Sequence, residues 1–473
     1  MLRVANQQPE HAISIDFNGS YELRTEQTGM EESIYDLIII GGGVVGLSVL
    51  RTATLQGYHC ALIEKEAHLL SHASGSNSGI ACTGVDATPG TLERSLIRDS
   101  NSMFRIYCKD LNVPTRPCGS LVCLWPWDDV KENHMDHVLD ESHDAGDTHA
   151  SRLSSSQVRY LEPNLASYCR GAVHIPGEIV VDPWLYSISL ATHARENGGR
   201  IFTNFAFDPD ASYLDGDVWN VVQLNPGHGS APMRLRAKVI ANAAGLWSDV
   251  IQKETHGPRT SIHTTKRTWS AKPRRGQYRV YAPSKESEIT HPIQPIPTQR
   301  TKGIFVFSTI YNQIVVGPTA CDQESKTNRS IDTLVAKELD THVERIIPGL
   351  DTEKDLVGEY VGVRPGTDKR DYQIHLYPEE RWIAVAGIRS TGLTASLGIG
   401  NYVVRMLKDI LETPTIEKMV KTTPLPHPSK LVKDFHNRNG YVEINGFEYK
   451  VTHPLTVFGW RAKADIVRQS SKL

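Results

Sequence analysis

The chain has 473 residues, of which 39% are hydrophobic and 22% are charged, and its formal net charge is −3. This length suits two or three domains of about 150 residues each. The near-neutral charge gives no sign of a nucleic-acid or other polyanionic partner. The longest apolar stretch is interrupted by glycines and is shorter than the roughly 20 residues that a transmembrane helix needs. We therefore expect no transmembrane segment.

The first residues carry a surplus of acids. Residues 1–33 contain six acidic and two basic residues. Transit peptides are rich in arginine and poor in acids, and secretory signals need an apolar centre. Neither type fits, so we interpret residues 1–33 as an N-terminal extension.

A glycine-rich turn between two apolar runs comes next. Residues 37–40 lead into a G-x-G-x-x-G motif at 41–46, a helical pattern follows, and Cys60–Ile63 ends at Glu64. This order of strand, turn, helix, strand and acid is typical of dinucleotide binding. The motif by itself does not choose between FAD and NAD.

Each glycine of the motif has a physical reason. Gly41 permits a tight turn, Gly43 lets the backbone approach a pyrophosphate, and Gly46 lets the helix pack closely on the sheet. Amides at the helix N-terminus bind phosphate charge. Glu64 lies 18 residues after Gly46, where an acid can accept hydrogen bonds from ribose hydroxyls.

The middle of the chain alternates helices and strands. Residues 70–84 form a Ser- and Gly-rich loop, and an amphipathic helix is predicted over 95–111. A buried strand at 239–243 runs into a small-residue turn at Ala244 and Gly245. The functional interpretation of that turn is a second close approach to a cofactor. Tight packing of a helix on a strand is the other interpretation.

The pattern of predicted elements changes in the second half of the chain. From residue 272 onward, alternating strands predict a mixed or antiparallel sheet in a separate lobe. A strand at 382–386 then feeds a glycine-bearing turn and a final helix, which again points amides at a ligand. Beyond residue 413, Asn445 and Gly446 between two short apolar runs predict a hairpin.

The cysteines and histidines do not suggest a metal site. Seven cysteines contain no C-x-x-C pair, and four histidines within 128–156 match no ligand spacing. We expect reduced thiols and no metal.

The last three residues match a targeting signal. Ser471, Lys472 and Leu473 form the S-K-L tripeptide, which the peroxisomal import receptor recognises. We expect the import receptor as a partner, and location in the peroxisome or a related organelle such as the glycosome. A chance tripeptide is the alternative.

Eight blocks in fixed order carry a resemblance over roughly residues 34–412. They are IIIGGGVVGL with Glu64, SNSGI with PGTLERSL, CGSLV, NAAGLWSD, KPRRGQY, PIPTQRTKGIFV with VVGPTA, VGVRPGTDKRDYQI, and AGIRSTGLTAS. Together they resemble FAD-dependent oxidoreductases of the D-amino-acid oxidase superfamily. The branch they resemble most contains flavin-linked glycerol-3-phosphate dehydrogenases and oxidases and L-2-hydroxyglutarate dehydrogenases. The resemblance favours FAD over NAD as the cofactor.

The resemblance implies an α/β protein with two lobes. A discontinuous Rossmann-like FAD-binding domain would comprise residues 34–115, 183–260 and 380–412. A mixed-sheet substrate domain would comprise 116–182 and 261–379. Residues 413–473 would form a C-terminal hairpin appendage that ends in the import signal.

The resemblance also implies site residues. Those expected to hold FAD are Gly41, Gly43, Gly46, Glu64, Asn77, Ser78, Gly79, Ala244, Gly245, Gly387, Gly392, Leu393 and Thr394. A small anionic substrate needs a fixed cation, and arginine offers a bidentate fork. Arg364 is the first choice, and the weaker candidates are Arg275, Arg389 and Lys302, with Tyr278 as a hydroxyl donor. A surface salt bridge is the alternative for each arginine.

One position departs from the pattern. Related enzymes usually carry a histidine beside the flavin where this chain has Cys82. A thiol with a pKa of about 8.5 is a poorer general base near pH 7 than an imidazole with a pKa of about 6.5. Either another group, such as His291 or Lys302, removes the proton, or the substrate is an amine that binds deprotonated.

The resemblance implies an enzyme that oxidises a small anionic substrate by hydride transfer to flavin N5. Glycerol 3-phosphate is the leading substrate, followed by L-2-hydroxy acids and then amino acids. Cys82 and the C-terminal hairpin also motivate a different class, a flavin-binding protein with lost or altered catalysis.

Overall fold

The computed structural model describes residues 33–128, 133–225, 231–255, 269–297, 303–414 and 419–470. These residues form ten α-helices, which are α1 (Val44–Leu55), α2 (Leu92–Asp110), α3 (Asn133–Asp144), α4 (Ser155–Leu161), α5 (Pro183–Glu196), α6 (Ser248–Thr255), α7 (Thr333–Ile346), α8 (Gly392–Lys408), α9 (Pro428–Asn437) and α10 (Pro454–Ser470). Within these ranges, no helix has the length and apolar character needed to cross a bilayer.

The same residues form 23 strands, many of them short. They are β1 (Tyr35–Ile40), β2 (Cys60–Ile63), β3 (Ile80–Ala81), β4 (Thr115–Arg116), β5 (Ser120–Leu124), β6 (Ser151–Ser154), β7 (Gly171–Ile175), β8 (Ile179–Val181), β9 (Arg200–Phe202), β10 (Ala206–Phe207), β11 (Tyr213–Asp215), β12 (Val218–Leu224), β13 (Arg234–Asn242), β14 (Ala271–Tyr281), β15 (Ile293–Pro295), β16 (Phe305–Ser308), β17 (Ile314–Gly317), β18 (Cys321–Asp322), β19 (Leu356–Thr367), β20 (Gln373–Tyr377), β21 (Trp382–Ala386), β22 (Tyr441–Ile444) and β23 (Phe447–Lys450).

The first sheet has nine strands and a parallel centre. Its order is β10-β12-β13-β1-β2-β9, with β11 beside β12, β21 beside β13 and β20 beside β21. Strand β1 is apolar from Leu37 to Ile40 without alternation, because a parallel strand at the centre of a sheet is covered on both faces. Ile40 pairs with both Ile63 and Asn242. The carboxyl ends of β1, β2 and β13 therefore meet at one edge, where ligands bind in such sheets.

The second sheet also has nine strands and mixed direction. Its order is β18-β14-β17-β16-β15-β5-β7-β6, with β19 beside β14. The pairing of β15 with β5 is parallel, and the remaining pairings are antiparallel. Its strands come from residues 120–175, 271–322 and 356–367. Strand β20 joins the first sheet although it lies in the stretch predicted for the substrate domain, and the predicted domain boundaries stay a prediction.

The largest apolar core lies between the first sheet and helices α1, α2, α5 and α8. Helix α8 comes close to its neighbours because two of its residues lack a side chain. A Cβ on Gly398 would lie 2.3 Å from the Leu96 oxygen, and one on Gly400 would lie 2.6 Å from Thr52 Oγ1. Packing of this kind leaves no room for water between the helices.

The C-terminal segment, residues 419–470, joins the same core. Strands β22 and β23 form the predicted hairpin, in which Asn445 and Gly446 have φ angles of 51° and 85°. Two positive φ angles match the type I′ turn. Val442 on the hairpin and Trp460 on α10 are fully buried in the main core. The predicted α/β fold with a C-terminal hairpin is confirmed, and the hairpin packs into the core instead of standing apart from it.

Candidate active site

A cleft of about 1970 Å³ runs past the carboxyl edge of the first sheet and one face of the second. The glycine turn after β1 and the carboxylate of Glu64 line one part of it. Arg274, Tyr278 and Arg364 of the β14–β19 pair line another part. A large cleft between two sheets is a typical place for a ligand to bind.

The glycine turn has the geometry that its motif predicts. Gly41 has a φ angle of +113°, which side chains rarely tolerate. A Cβ on Gly46 would lie 2.1 Å from the backbone oxygen of Gly41, so only glycine allows α1 to start this close to β1. Helix α1 begins after Gly43, which has no side chain to cap it, and its first turn contains no acid. The Val44 amide donates to Ser74 Oγ at 3.0 Å, and this hydroxyl carries no charge that would neutralise the helix start. The positive end of its dipole is therefore available to a phosphate in the cleft.

Glu64 is held by the backbone at the end of β2. Its Oε2 accepts a hydrogen bond from Gly42 N at 2.6 Å, and its Oε1 accepts one from Glu66 N at 2.9 Å. Burial raises the pKa of Glu64, and these two amides oppose that rise. The carboxylate retains lone pairs for a ribose hydroxyl, since each oxygen can accept more than one bond.

Aromatic and basic side chains close the end of the cleft beside Glu64. They are not among the site residues predicted from the sequence. Lys65 Nζ lies 3.6 Å from the centroid of the Trp247 ring, and His72 meets the same ring edge-on at 4.5 Å. All three side chains line the cleft. The spacing of Lys65, directly after Glu64, is the only cue that the sequence offers for this group.

Most of the predicted cofactor residues come together. Those that line the cleft are Gly41, Gly43, Glu64, Asn77, Ser78, Ala244, Gly245, Gly387, Gly392 and Leu393. The other three support this lining from behind. Gly46 packs on Gly41, the Gly79 amide donates to Asn77 Oδ1 at 2.8 Å, and Thr394 Oγ1 accepts from the Cys82 amide at 3.1 Å. Their individual roles toward the cofactor stay predictions.

The lining fits a long, phosphate-bearing cofactor such as FAD. A Cβ built on Gly245 meets no atom within 4 Å, so the backbone there is open to the cleft. The start of α1, which has no acidic cap, faces the same space, and α8 also starts there without a side-chain cap on its N-cap residue. Two helix N-termini and bare backbone are the features that an extended dinucleotide with a negatively charged ring system uses.

The β14–β19 pair supplies the cations of the second sheet. Arg274 pairs with Arg364, Gly276 with Gly362, and Tyr278 with Tyr360. Directly opposed residues of antiparallel strands place their side chains on one face. This face is turned to the cleft, because Arg274, Tyr278 and Arg364 line it.

Arg364 is a cation of the cleft without a carboxylate partner among the described residues. Its Nη2 donates to the Thr319 oxygen at 3.0 Å, and among the described residues no carboxylate lies within ion-pair distance of it. Burial lowers the pKa of Arg364, and the nearby charge of Arg274 adds to this effect while Tyr278 opposes it. Burial raises the pKa of Tyr278, which Arg364 partly offsets. A half-buried guanidinium without an acidic partner among the described residues is typical of an anion-binding site.

The structure does not place Arg275 in the cleft, and its role as a substrate ligand stays a prediction. Arg275 pairs with Val363, lies on the opposite face of the sheet and donates to Gln277 Oε1 at 3.2 Å. The described lining of the cleft does not include it. Side chains alternate along a strand, so Arg275 and Tyr278, three residues apart, cannot share a face. The same alternation in the sequence would have selected Arg274.

Arg389 lines the cleft, but its positive charge is already paired with a carboxylate of the protein. Its Nη2 forms an ion pair with Glu93 Oε2. Glu93 is buried and its Oε1 also accepts from Thr391 Oγ1 at 2.7 Å. Arg389 is therefore a weaker substrate ligand than Arg364. Sequence reasoning missed Glu93, because an acid in the first turn of a helix is commonly only a partner of the helix dipole.

The other two candidate proton acceptors, Lys302 and His291, stay predictions. Lys302 lies outside the described residues. His291 is buried in a pair with Glu162, at 2.6 Å from Nδ1 to Oε1, and the described lining of the cleft does not include it. Cys82 does line the cleft, and its Sγ lies 3.6 Å from Thr394 Oγ1.

Comparison with known proteins identifies the group to which the site belongs. A family model described as FAD dependent oxidoreductase matches residues 36–406. Glycerol 3-phosphate dehydrogenase of Caloramator mitchellensis is 28% identical over 394 residues, which cover 83% of this chain and 77% of that protein. Glycerol 3-phosphate oxidase of Mycoplasma pneumoniae is 27% identical over 383 residues, which cover 79% of this chain and 94% of that protein.

Solved structures share the fold. L-alpha-glycerophosphate oxidase from Mycoplasma pneumoniae, reduced with dithionite and with FAD bound, matches with a TM-score of 0.73 and 23% identity, covering 84% of this chain and 100% of that chain. Glycine oxidase from Bacillus cereus matches with a TM-score of 0.67 and 19% identity, covering 81% and 100%. The C-terminal segment lies beyond the family match, which ends at residue 406.

Proposed function

This chain belongs to the family of FAD-dependent oxidoreductases, and from that premise we propose that it oxidises the hydroxyl-bearing carbon of glycerol 3-phosphate. When bound, FAD supplies the hydride acceptor at its N5 atom. The protein's own residues bind the anionic end of the substrate, orient the carbon and keep water away from it. Two similar proteins carry glycerol 3-phosphate in their names, at 28% and 27% identity, and they support this choice among small acids.

The observation that carries the proposal is the pair Arg274 and Arg364. The two residues lie directly opposite each other on antiparallel strands and face the cleft. Like charges in this arrangement repel each other and destabilise the sheet. Asp322 Oδ1 lies 3.3 Å from Arg274 Nε but is exposed, so it offsets the repulsion only weakly. A phosphate dianion between the two guanidinium groups would compensate both.

The pair Arg274 and Arg364 also bears on which other classes of substrate would fit the cleft. An L-2-hydroxy acid or an amino acid presents one carboxylate at the reacting end, and a single guanidinium fork satisfies it. Two opposed arginines are more than one carboxylate requires. Tyr278 adds a hydroxyl beside Arg364 in the wall of the cleft. We therefore rank glycerol 3-phosphate ahead of L-2-hydroxy acids and amino acids that carry a single carboxylate.

Anaerobic reduction of the purified yellow protein tests the proposal. Glycerol 3-phosphate, L-2-hydroxyglutarate and glycine are each mixed with the enzyme, and the loss of flavin absorbance is followed in time. Glycerol 3-phosphate should give the highest second-order rate constant of reduction. Glycerol without phosphate is the matched control and should reduce the flavin far more slowly. Faster reduction by a hydroxy or amino acid would replace the substrate, and no reduction by any of them would refute the function.

A second proposal concerns location. Residues 471–473, outside the described residues, match the peroxisomal import signal. We propose that the enzyme is imported through this signal. A fluorescent protein fused to the N-terminus leaves the signal accessible, and this fusion should lie in peroxisomes. The same fusion without the last three residues should remain in the cytosol, and unchanged peroxisomal location would contradict the proposal.

A further inference from the structure

The C-terminal segment, residues 419–470, lies directly behind the substrate end of the cleft. Leu455 of α10 belongs to the same apolar cluster as Tyr278 and Tyr360. A Cβ on Gly358 of β19 would lie 2.6 Å from the Phe458 ring, so α10 rests closely on the strand that carries Arg364. This contact comes from a part of the chain that the family match does not include.

The buried carboxylate of Asp182 links α10 to the start of α5 and to the turn between β16 and β17. Asp182, which caps α5, is fully buried, and its Oδ1 accepts from Thr456 Oγ1 at 2.9 Å. Its Oδ2 accepts from the hydroxyl of Tyr311, which lies in the turn between β16 and β17. That hydroxyl in turn accepts from Trp460 Nε1 at 2.7 Å. A network with every member satisfied fixes the position of α10.

His453 stands at the start of this helix and is fully buried. Its Nδ1 accepts from the Leu455 amide at 3.2 Å, which caps α10. Its ring meets Tyr360 edge-on at a centroid distance of 6.2 Å, and the backbone of Asn77 lies beside it. Burial lowers the pKa of His453 to about 3. The ring is therefore neutral at physiological pH and acts through shape and hydrogen bonding.

Tyr360 connects His453 to two walls of the cleft. Its hydroxyl donates to the Asn77 oxygen at 3.2 Å, and its ring stacks on Tyr278 at 4.5 Å with an interplanar angle of 10°. Asn77 and Tyr278 both line the cleft. A displacement of Tyr360 would thus move the loop expected along the flavin and the tyrosine beside Arg364.

We propose that His453 is a positioning residue, which holds Tyr360 and Asn77 so that the C-terminal segment sets the geometry of the substrate end of the cleft. Its effect on substrate binding rests on the function proposed above. Its effect on the loop at residues 74–80 does not, because that loop can be measured without a substrate.

Two substitutions separate this role from helix capping. Asparagine is a good N-cap but has no ring to reach Tyr360, so His453→Asn keeps the cap and removes the ring contact. We expect its KM for glycerol 3-phosphate to rise about fivefold to tenfold, the effect of one lost contact, with kcat changed less. His453→Phe keeps a ring and loses the cap. It should lower the melting temperature and leave KM within about twofold of the wild type.

Hydrogen–deuterium exchange gives a readout that does not depend on the substrate. In His453→Asn, peptides covering residues 74–80 and 356–367 should exchange faster than in the wild-type holoenzyme, and the flavin absorption band should shift. His436→Asn is the matched control, because His436 lies in the same segment and bonds to the Trp460 oxygen. It should leave exchange in both peptides unchanged.

Each combination of results from these variants leads to a different conclusion. If His453→Asn leaves exchange, flavin absorption and KM at wild-type values, His453 is only a helix cap and the proposal is wrong. If exchange and flavin absorption change but no substrate reduces the flavin, the positioning role stands and the proposed function fails. If His453→Phe raises KM as much as His453→Asn does, the ring contact is not the cause and the proposal is also overturned.

Discussion

Replacing Arg364 by glutamine should weaken catalysis without weakening the fold. The guanidinium is half-buried, it donates to the Thr319 oxygen, and no described carboxylate pairs with it. Partial burial lowers its pKa, which means that the protein holds this charge at a cost. Removing a half-buried charge that lacks an acidic partner should leave the melting temperature unchanged or slightly raised.

The size of the catalytic effect follows from the hydrogen bonds that a bidentate fork makes. Each charge-assisted hydrogen bond contributes about 1.5–3 kcal/mol, and glutamine replaces two of them by one weaker neutral bond. A net loss of about 2–4 kcal/mol corresponds to a decrease of roughly 30-fold to 1000-fold in kcat/KM. Lysine at the same position keeps the charge but not the fork, so Arg364→Lys should recover only part of the loss.

Steady-state oxygen uptake, or dye reduction if oxygen is a poor acceptor, measures kcat/KM for glycerol 3-phosphate. Arg275→Gln is the control, since Arg275 lies on the same strand pair but on the face turned away from the cleft. It should change kcat/KM by less than about threefold, the range of ordinary surface substitutions. A decrease in Arg364→Gln no larger than that of Arg275→Gln would refute the assignment of this face as the anion site.

Three further expectations can be tested with single variants. Gly46→Ala places a Cβ 2.1 Å from the Gly41 oxygen, and since backbone cannot yield cheaply, FAD affinity measured by fluorescence titration should fall by more than tenfold; unchanged affinity would contradict the turn geometry. Cys82→Ser should keep kcat/KM within about threefold, because serine keeps a hydroxyl in place of the thiol that lies 3.6 Å from Thr394 Oγ1, whereas loss of a general base costs about 10²-fold or more; a hundredfold loss would make Cys82 the base. His453 has its pKa lowered from 6.5 to about 3 in the folded state, so the unfolded chain binds its proton first and stability is lost as pH falls below 6.5, at up to about 1.4 kcal/mol per pH unit. His453→Asn should therefore show a smaller fall in melting temperature between pH 7 and pH 5 than the wild type, and an equal fall would show that His453 does not contribute.

The sequence alone predicted several local features of this protein. The glycine turn at 41–46, the acid at Glu64 and the hairpin at Asn445 depend on residues within about thirty positions, and their backbone geometry follows from the special conformations of glycine and asparagine. The ordered blocks were enough to favour FAD over NAD, and the family match agrees with them. Strand alternation was also present in the sequence, and it would have separated Arg274 from Arg275.

Only the tertiary structure decided which charges act together. Arg274 meets Arg364 because the register of β14 on β19 brings residues 90 positions apart to one face. Arg389 is neutralised by Glu93, which is 296 positions away. The C-terminal segment supports the wall of the cleft through His453 and Tyr360. Sheet register and the packing of distant helices determine these pairings, and neither leaves a periodic signal in the chain, so the sequence could supply the candidates but not their partners.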